Sequence, residues 1–208
     1  MNTPENPLWL ADWRRRISEI YAAVRQNPLA ENAWDLFRAG RDDLFKMHPQ
    51  SPLTDEQKER FDHLDYYPYQ PEWCLDAQVD PDVVHETFHI QLPAEGNFSY
   101  TRVARLNFLY RSNPYSLNLF WVNSYGGGLF LPFRDTSNGS GTYGGGRYLY
   151  DGIKGADLNA TADHFRIDFN FAYNPSCAYS DQWICPLSPA ENRLPLAITA
   201  GEKQFKQS

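Results

Sequence analysis

The stretch SYTRVARLNFLYRSNPYSLNLFWVN, Ser99 to Asn123, is read here as two strands and a turn. Its two halves are rich in aromatic and aliphatic residues, which suit a pleated, half-buried surface. Ser112-Asn113-Pro114 between them is a turn signal, so Ser99–Tyr110 and Ser116–Asn123 are expected to be strands. The same period-two texture continues outward on both sides. Upstream it predicts strands at Trp73–Val79 and His85–Leu92. Downstream it predicts Gly128–Phe133, Arg147–Tyr150, Phe165–Phe171 and Leu194–Thr199. Pro93–Asn97 and Ser137-Asn138-Gly139 supply further turns. Several short strands at close spacing imply an antiparallel sandwich or barrel.

Before Leu64 the period is different. Trp13, Ile17, Ile20, Tyr21 and Val24 recur at spacings of three and four, which predicts an amphipathic helix over residues 9–26, stopped by Asn27-Pro28. A second helix is expected from Ala30 to Met47, with Trp34, Phe37, Arg41, Leu44 and Phe45 on one side, ending before His48-Pro49. Thr54 with Gln57 three residues later forms a capping box, so a third, short helix starts there. Tyrosine and proline crowd DYYPYQPEW, which reads as an extended connection. The class is therefore α+β, with N-terminal helices packed on a mainly antiparallel β-sandwich or barrel. Residues 1–208 are expected to form one domain, helical over 1–63 and β-rich over 64–208.

The composition suits a packed, aromatic-walled protein, with 13 Tyr, 13 Phe and 6 Trp in 208 residues. A net charge of -7 argues against non-specific nucleic-acid binding, and Arg14-Arg15-Arg16 reads as the solvated side of a helix. No run approaches the ~20 apolar residues that span a bilayer. The N-terminus lacks the pattern of a secretory signal, and three cysteines are too few for a disulfide framework. A reducing, cytoplasmic location is expected, so the Asn-x-Ser/Thr triplets at Asn97, Asn138 and Asn159 carry little meaning.

Three motifs invite chemistry. His85-Glu86-Thr87-Phe88-His89 matches H-E-x-x-H, which binds zinc when both histidines share one face of a helix. Here Val84, Phe88, Ile90 and Leu92 share one parity, as in a strand, which would turn Glu86 away from the histidines. A zinc-dependent hydrolase is thus an alternative, and a half-exposed strand with solvent-facing histidines is the plainer reading. Gly139-Ser140-Gly141-Thr142-Tyr143-Gly144 fits G-x-G-x-x-G, but a strand rather than a helix follows, so a glycine turn is the plainer reading. Cys177 and Cys185 stand eight apart, wider than a C-x2-C metal pair. They can be buried small hydrophobes, a metal or redox pair, or in the case of Cys177 a nucleophile.

The richest constellation is polar. On the expected strand Phe165–Phe171, Arg166, Asp168 and Asn170 alternate with four apolar residues, and Tyr173 and Asn174 follow. Arg147 comes from the glycine loop, beside Tyr143. Arginine beside Asp and Asn offers fixed donors for a carboxylate or phosphate. The expectation is a pocket for a small anionic or polar molecule, bound by Arg147, Asn170, Tyr173, Asn174 and Tyr143, with no metal and no cofactor. Asp168 would orient Arg147 or act as a base, and Cys177 would line the floor; these two are the catalytic candidates if a hydrolase-type reaction occurs. The rival reading is an Arg–Asp network that only pins loops in a structural or interaction module. No nucleic-acid or membrane partner is expected, and the oligomeric state is left open.

Several motifs together, HPQSPL at His48, Asp135-Thr136, TYGGGRYL at Thr142, DFNFAYNPSCAYS at Asp168, CPLSPAENRLP at Cys185 and AGEK at Ala200, point one way. They resemble the uncharacterised prokaryotic proteins grouped as domain of unknown function 1684, from about Trp34 to Lys203. Ser188 stands where that family tends to have proline, and Ala104 where glycine is usual. The resemblance implies a single soluble module with these motifs as its hallmark residues, and no known activity.

Overall fold

The first helix starts where its sequence can cap it. The Asn6 side chain accepts a hydrogen bond from the Leu8 amide and Pro7 fills the first turn, so α1 runs Pro7–Gln26. The computed structural model describes residues 6–27, 29–92, 96–161 and 165–206. Helix α2 spans Ala30–Met47 and buries Trp34, Phe37, Arg41, Leu44 and Phe45. Helix α3, Asp55–Arg60, opens on the expected capping box of Thr54 and Gln57.

Among the described residues seven strands follow: β1 Cys74–Asp80, β2 Thr87–Leu92, β3 Gly96–Tyr110, β4 Asn113–Val122, β5 Leu129–Phe133, β6 Arg147–Asp151 and β7 Phe165–Asp168. All pair antiparallel, in the order β6-β5-β4-β3-β1-β7, with β2 also on β3. Long β3 is the hub. Its first half pairs with β2 and its second half with β1, while β4 runs along its other edge. Register breaks at Arg102/Ala104 and at Leu131/Pro132 bend the sheet, as bulges do. The sheet curls into a half-barrel. Beyond β7 the chain returns to β6, where Tyr148 and Tyr173 exchange both backbone hydrogen bonds, at 2.9 and 3.0 Å. The α+β class expected from the sequence is the class observed.

The segment after β7 is the filling between helices and sheet. Phe169 packs on Trp73, Phe108 and Phe133 of the sheet side. Phe171 turns to Phe37 of α2, at 5.1 Å between ring centres, and Tyr179 to Phe45 at 4.9 Å. Edge-on aromatic pairs of this kind add about 0.5–1.5 kcal/mol each beyond their area burial.

Some expected elements formed differently. Phe165–Phe171 was expected as one strand with a polar face. The strand stops at Asp168, whose side chain accepts the Asn170 amide and starts a 3-10 turn at Phe169–Phe171. This local bond breaks the alternation, so Asp168 and Asn170 are buried along with Phe169 and Phe171. Leu194–Thr199 is not a strand. Leu194 N donates to Arg134 O and Thr136 N to Leu196 O, but at Ile198 side chains replace the ladder: Asp135 Oδ1 accepts from Ile198 N and Arg147 Nη2 donates to Ile198 O. The β3–β4 turn falls at Arg111 and Ser112, both at positive φ, and Asn113-Pro114 already belong to β4. A two-residue turn with both central φ positive matches the twist of its strands. Most of the expected Pro93–Asn97 turn, and Pro28 of the first helix stop, lie outside the described residues.

Candidate functional site

Arg147 opens β6 and is wholly withdrawn from solvent. Its Nη2 donates to Asp135 Oδ2 at 3.1 Å and to Ile198 O at 3.0 Å. Its Nη1 donates to Ala200 O and, at 3.2 Å, to Glu202 O. Asp135 also accepts from Ile198 N and from Ser137. Burial draws the Arg147 guanidinium below its ordinary value and Asp135 opposes that, but arginine remains a cation throughout. The pair is a clamp on residues 198–202.

The clamp delivers Glu202. Its Oε2 accepts from Arg41 Nη2 at 2.8 Å and from Asn174 N at 3.1 Å. Its Oε1 accepts from Asn174 Nδ2 at 3.0 Å and from Tyr179 Oη. Arg41 Nε donates to Tyr66 Oη at 2.7 Å. Both charges are buried, so each needs the other and the surrounding donors and acceptors. Desolvation still pushes the Glu202 carboxyl above the ordinary range.

Beside this pair lies a cavity of about 40 Å³, walled by Trp13, Tyr21, Phe45, Tyr173 and Tyr179, with Arg41 and Asn174 also lining it. Three buried polar atoms of its lining, Tyr21 Oη, Tyr173 Oη and Asn174 Oδ1, have no hydrogen-bond partner among the described residues. Native proteins leave few such groups unpaired, because each costs about 1–3 kcal/mol. Burial pushes the Tyr21 and Tyr173 phenols upward, so both keep their protons near neutral pH. The residues lining the cavity thus carry two hydroxyl donors and one amide acceptor left without a partner among the described residues. A larger and more open hollow, about 280 Å³, lies between Ser18 and Arg25 of α1 and Gly152–Ala160. It is the poorer candidate, because Arg25 is already bonded to Asp157 O there and none of those three orphaned atoms lines it.

The other expected site residues fall into two separate groups. Asp168 meets Arg166, not Arg147: Arg166 Nη2 lies 3.0 Å from Asp168 Oδ2. Asp168 Oδ1 accepts from Asn170 N and Nδ2, and Asn170 exchanges hydrogen bonds with the backbone of Gln70. Burial raises the Asp168 carboxyl above its usual range. Cys177, in a 3-10 turn at Ser176–Ala178, meets Cys185 and Tyr143. So Tyr173 and Asn174 line the cavity, Arg147 acts on it through Glu202, and Asp168, Asn170, Cys177 and Tyr143 stand apart from that lining.

The H-E-x-x-H segment is no helix. His85 and Glu86 precede β2, His89 lies within it, all three are exposed, and Glu86 pairs with Arg102 at 3.2 Å. A strand does not place the two imidazoles one helical turn apart, so the zinc alternative loses its geometry. No group of three or more His, Cys, Asp or Glu suited to a metal ion occurs among the described residues. The glycine loop is a turn at Gly139, φ +84°, whose amides bond within it: Gly139 N to Thr142 O and Gly141 N to Ser137 O. No described helix is long and apolar enough to cross a membrane.

Sequence reading missed Arg41, Tyr21 and Glu202 as site residues. The available signal was Arg41 itself, an arginine inside the apolar stripe of a helix, which requires a buried partner.

Comparison with known proteins adds a family but no activity. Residues 59–203 match the family described as "Protein of unknown function (DUF1684)". The solution NMR structure of an uncharacterised protein from Haloarcula marismortui is similar, with a TM-score of 0.63 and 34% identity. The alignment covers 83% of this chain and 93% of that one. No curated protein matches the chain.

Proposed function

The chain belongs to the DUF1684 family of proteins of unknown function, and on that footing we propose that it binds a small polar or anionic molecule in the aromatic-walled cavity beneath α1 and α2. One observation carries this reading: the three unpaired polar atoms, Tyr21 Oη, Tyr173 Oη and Asn174 Oδ1, that line one hollow. The phenols donate to an oxygen of the ligand and Asn174 Oδ1 accepts from a hydroxyl or amine. Arg41 is already balanced by Glu202 and the hollow measures about 40 Å³, which favours a small group of little or no net charge, entering as one end of a ligand. Arg147 is a positioning residue here, acting through the backbone of Glu202. A reducing, cytoplasmic location is part of the same proposal and is supported by the three cysteines being free.

The test is a thermal-shift screen of small hydroxyacids, amino acids and polyols at high concentration, since stabilisation grows only with ligand excess, about 2.7 kcal/mol at 100 Kd. At least one class is expected to raise the Tm of the wild type and to fail with Tyr173→Phe. That variant itself should fold with a Tm equal to or above the wild type, because it removes a buried hydroxyl that has no partner among the described residues. A screen without any shift, together with a clear loss of stability in Tyr173→Phe, overturns the reading and makes the hydroxyl part of the scaffold.

A further inference from the structure

The two cysteines that stand eight apart in the sequence meet in space. Cys177 N donates to Cys185 Sγ at 3.4 Å, and Tyr143 Oη lies 3.6 Å from Cys177 Sγ. Both cysteines are partly accessible and neither is in a disulfide. A backbone amide within hydrogen-bond reach of the opposite sulfur makes the two residues neighbours in space, and a disulfide between them brings the Cα atoms to about 4.4–6.8 Å. They come from two irregular segments, the 3-10 turn at Ser176–Ala178 and the chain just before Pro186, which need no strand or long helix to shift.

We propose that Cys177 and Cys185 form a two-cysteine redox site that reduces low-molecular-weight disulfides and is left as a Cys177–Cys185 disulfide. The Cys177 thiolate attacks one sulfur of the small disulfide RSSR. The S–S bond breaks, a mixed disulfide forms on Cys177, and RS⁻ leaves. Cys185, as its thiolate, attacks Cys177 Sγ and expels the second RS⁻. Two protein thiols are oxidised by two electrons, one RSSR is reduced to two RSH, and the two thiol protons end on the products.

The surroundings divide the roles. Hydrogen bonding from Cys185, helped by Tyr143, brings the Cys177 thiol down to about 6, against the partial burial that opposes it. The hydrogen bond with Cys177 and burial push Cys185 upward. Cys177 is thus the attacking sulfur and Cys185 the resolving one. The titratable and charged groups that face the pair are Tyr143, Tyr148 and Lys154, and Asp181 acts on Tyr143. The third cysteine supplies an internal contrast: burial and Asp168 push Cys74 up to about 11.

The experiment is to treat the full chain with oxidised glutathione and then block free thiols and map them by mass spectrometry. In the wild type the free thiols should fall from three to one, with Cys74 still free and Cys177 and Cys185 joined in one cross-linked peptide. Cys185→Ser should stop at a mixed disulfide on Cys177, and Cys177→Ser should react slowly or not at all at Cys185. Three thiols still free after oxidation, or glutathione found first on Cys74, overturns the proposal. The wild-type mapping decides this even if a serine variant fails to fold. It also separates the site from the ligand cavity, because it needs no cavity ligand.

Discussion

Arg41 Nη2 lies 2.8 Å from Glu202 Oε2 across 161 residues of chain, with both side chains buried. The carboxylate is held from four sides, by Arg41, Tyr179 and the backbone and side chain of Asn174. Removing one partner leaves a buried charge alone, which is far worse than removing both. Glu202→Ala should therefore lose about 3–5 kcal/mol in urea unfolding. Adding Arg41→Met to it should restore part of that loss. Equal losses in the single and the double variant would show that the ion pair is not the source.

Arg147 makes its four bonds with a planar fork that a lysine cannot imitate. Arg147→Lys keeps the charge but strands several acceptors, and should cost about 2–4 kcal/mol, since each lost bond to a charged group is worth about 1.5–3 and losses are not additive. Limited proteolysis should then cut first between Ile198 and Lys203, the segment the clamp holds. A variant as stable as the wild type, with that segment still protected, would mean the clamp is dispensable.

Two glycines at positive φ should respond unequally to alanine. At Gly201, φ +73°, a Cβ would stand 2.6 Å from Phe169 O and 2.8 Å from the Ala172 side chain. At Gly139, φ +84°, it would meet nothing within 4 Å. Gly139→Ala should lose only the conformational term, about 1 kcal/mol. Gly201→Ala should lose more than twice that in chemical denaturation and displace Glu202. Similar losses at both sites would sink this account.

The rate at which iodoacetamide modifies Cys177 should rise with pH and reach half its plateau near pH 6, where its thiol ionises. An ordinary thiol does so near about pH 8.5. Because Cys185 supplies the largest lowering contribution, Cys185→Ser should move the midpoint upward. Mass mapping of each cysteine against pH gives the answer, and a Cys177 that follows the profile of Cys74 would refute it.

Periodicity made most elements legible. Trp13, Ile17 and Tyr21 at helical spacing, and the alternation over Ser99–Tyr110, report burial directly, and α1, α2, β3 and β4 lie close to where those patterns put them. Leu194–Thr199 reads as a strand because its residues are apolar, but only Leu194 and Leu196 bond to the backbone of Arg134 and Thr136, and Ile198 is satisfied by the Asp135 and Arg147 side chains, which no local pattern encodes. The same limit applied to the site. Tyr173 and Asn174 stand out in the sequence as polar residues after a strand, and Arg147 as an arginine in the glycine loop. That Arg147 would meet Asp135, and Asp168 would meet Arg166, depends on which chain segments cross, and spacing does not carry that information.

The clamp on residues 198–202 also sets an order of events during synthesis. Helix α2 leaves the ribosome with Arg41 in the middle of its apolar stripe, and its counter-charge follows only 161 residues later. Until then the stripe cannot settle without stranding a cation, so α1 and α2 should remain undocked on the nascent chain and depend on chaperones to mask their aromatic faces.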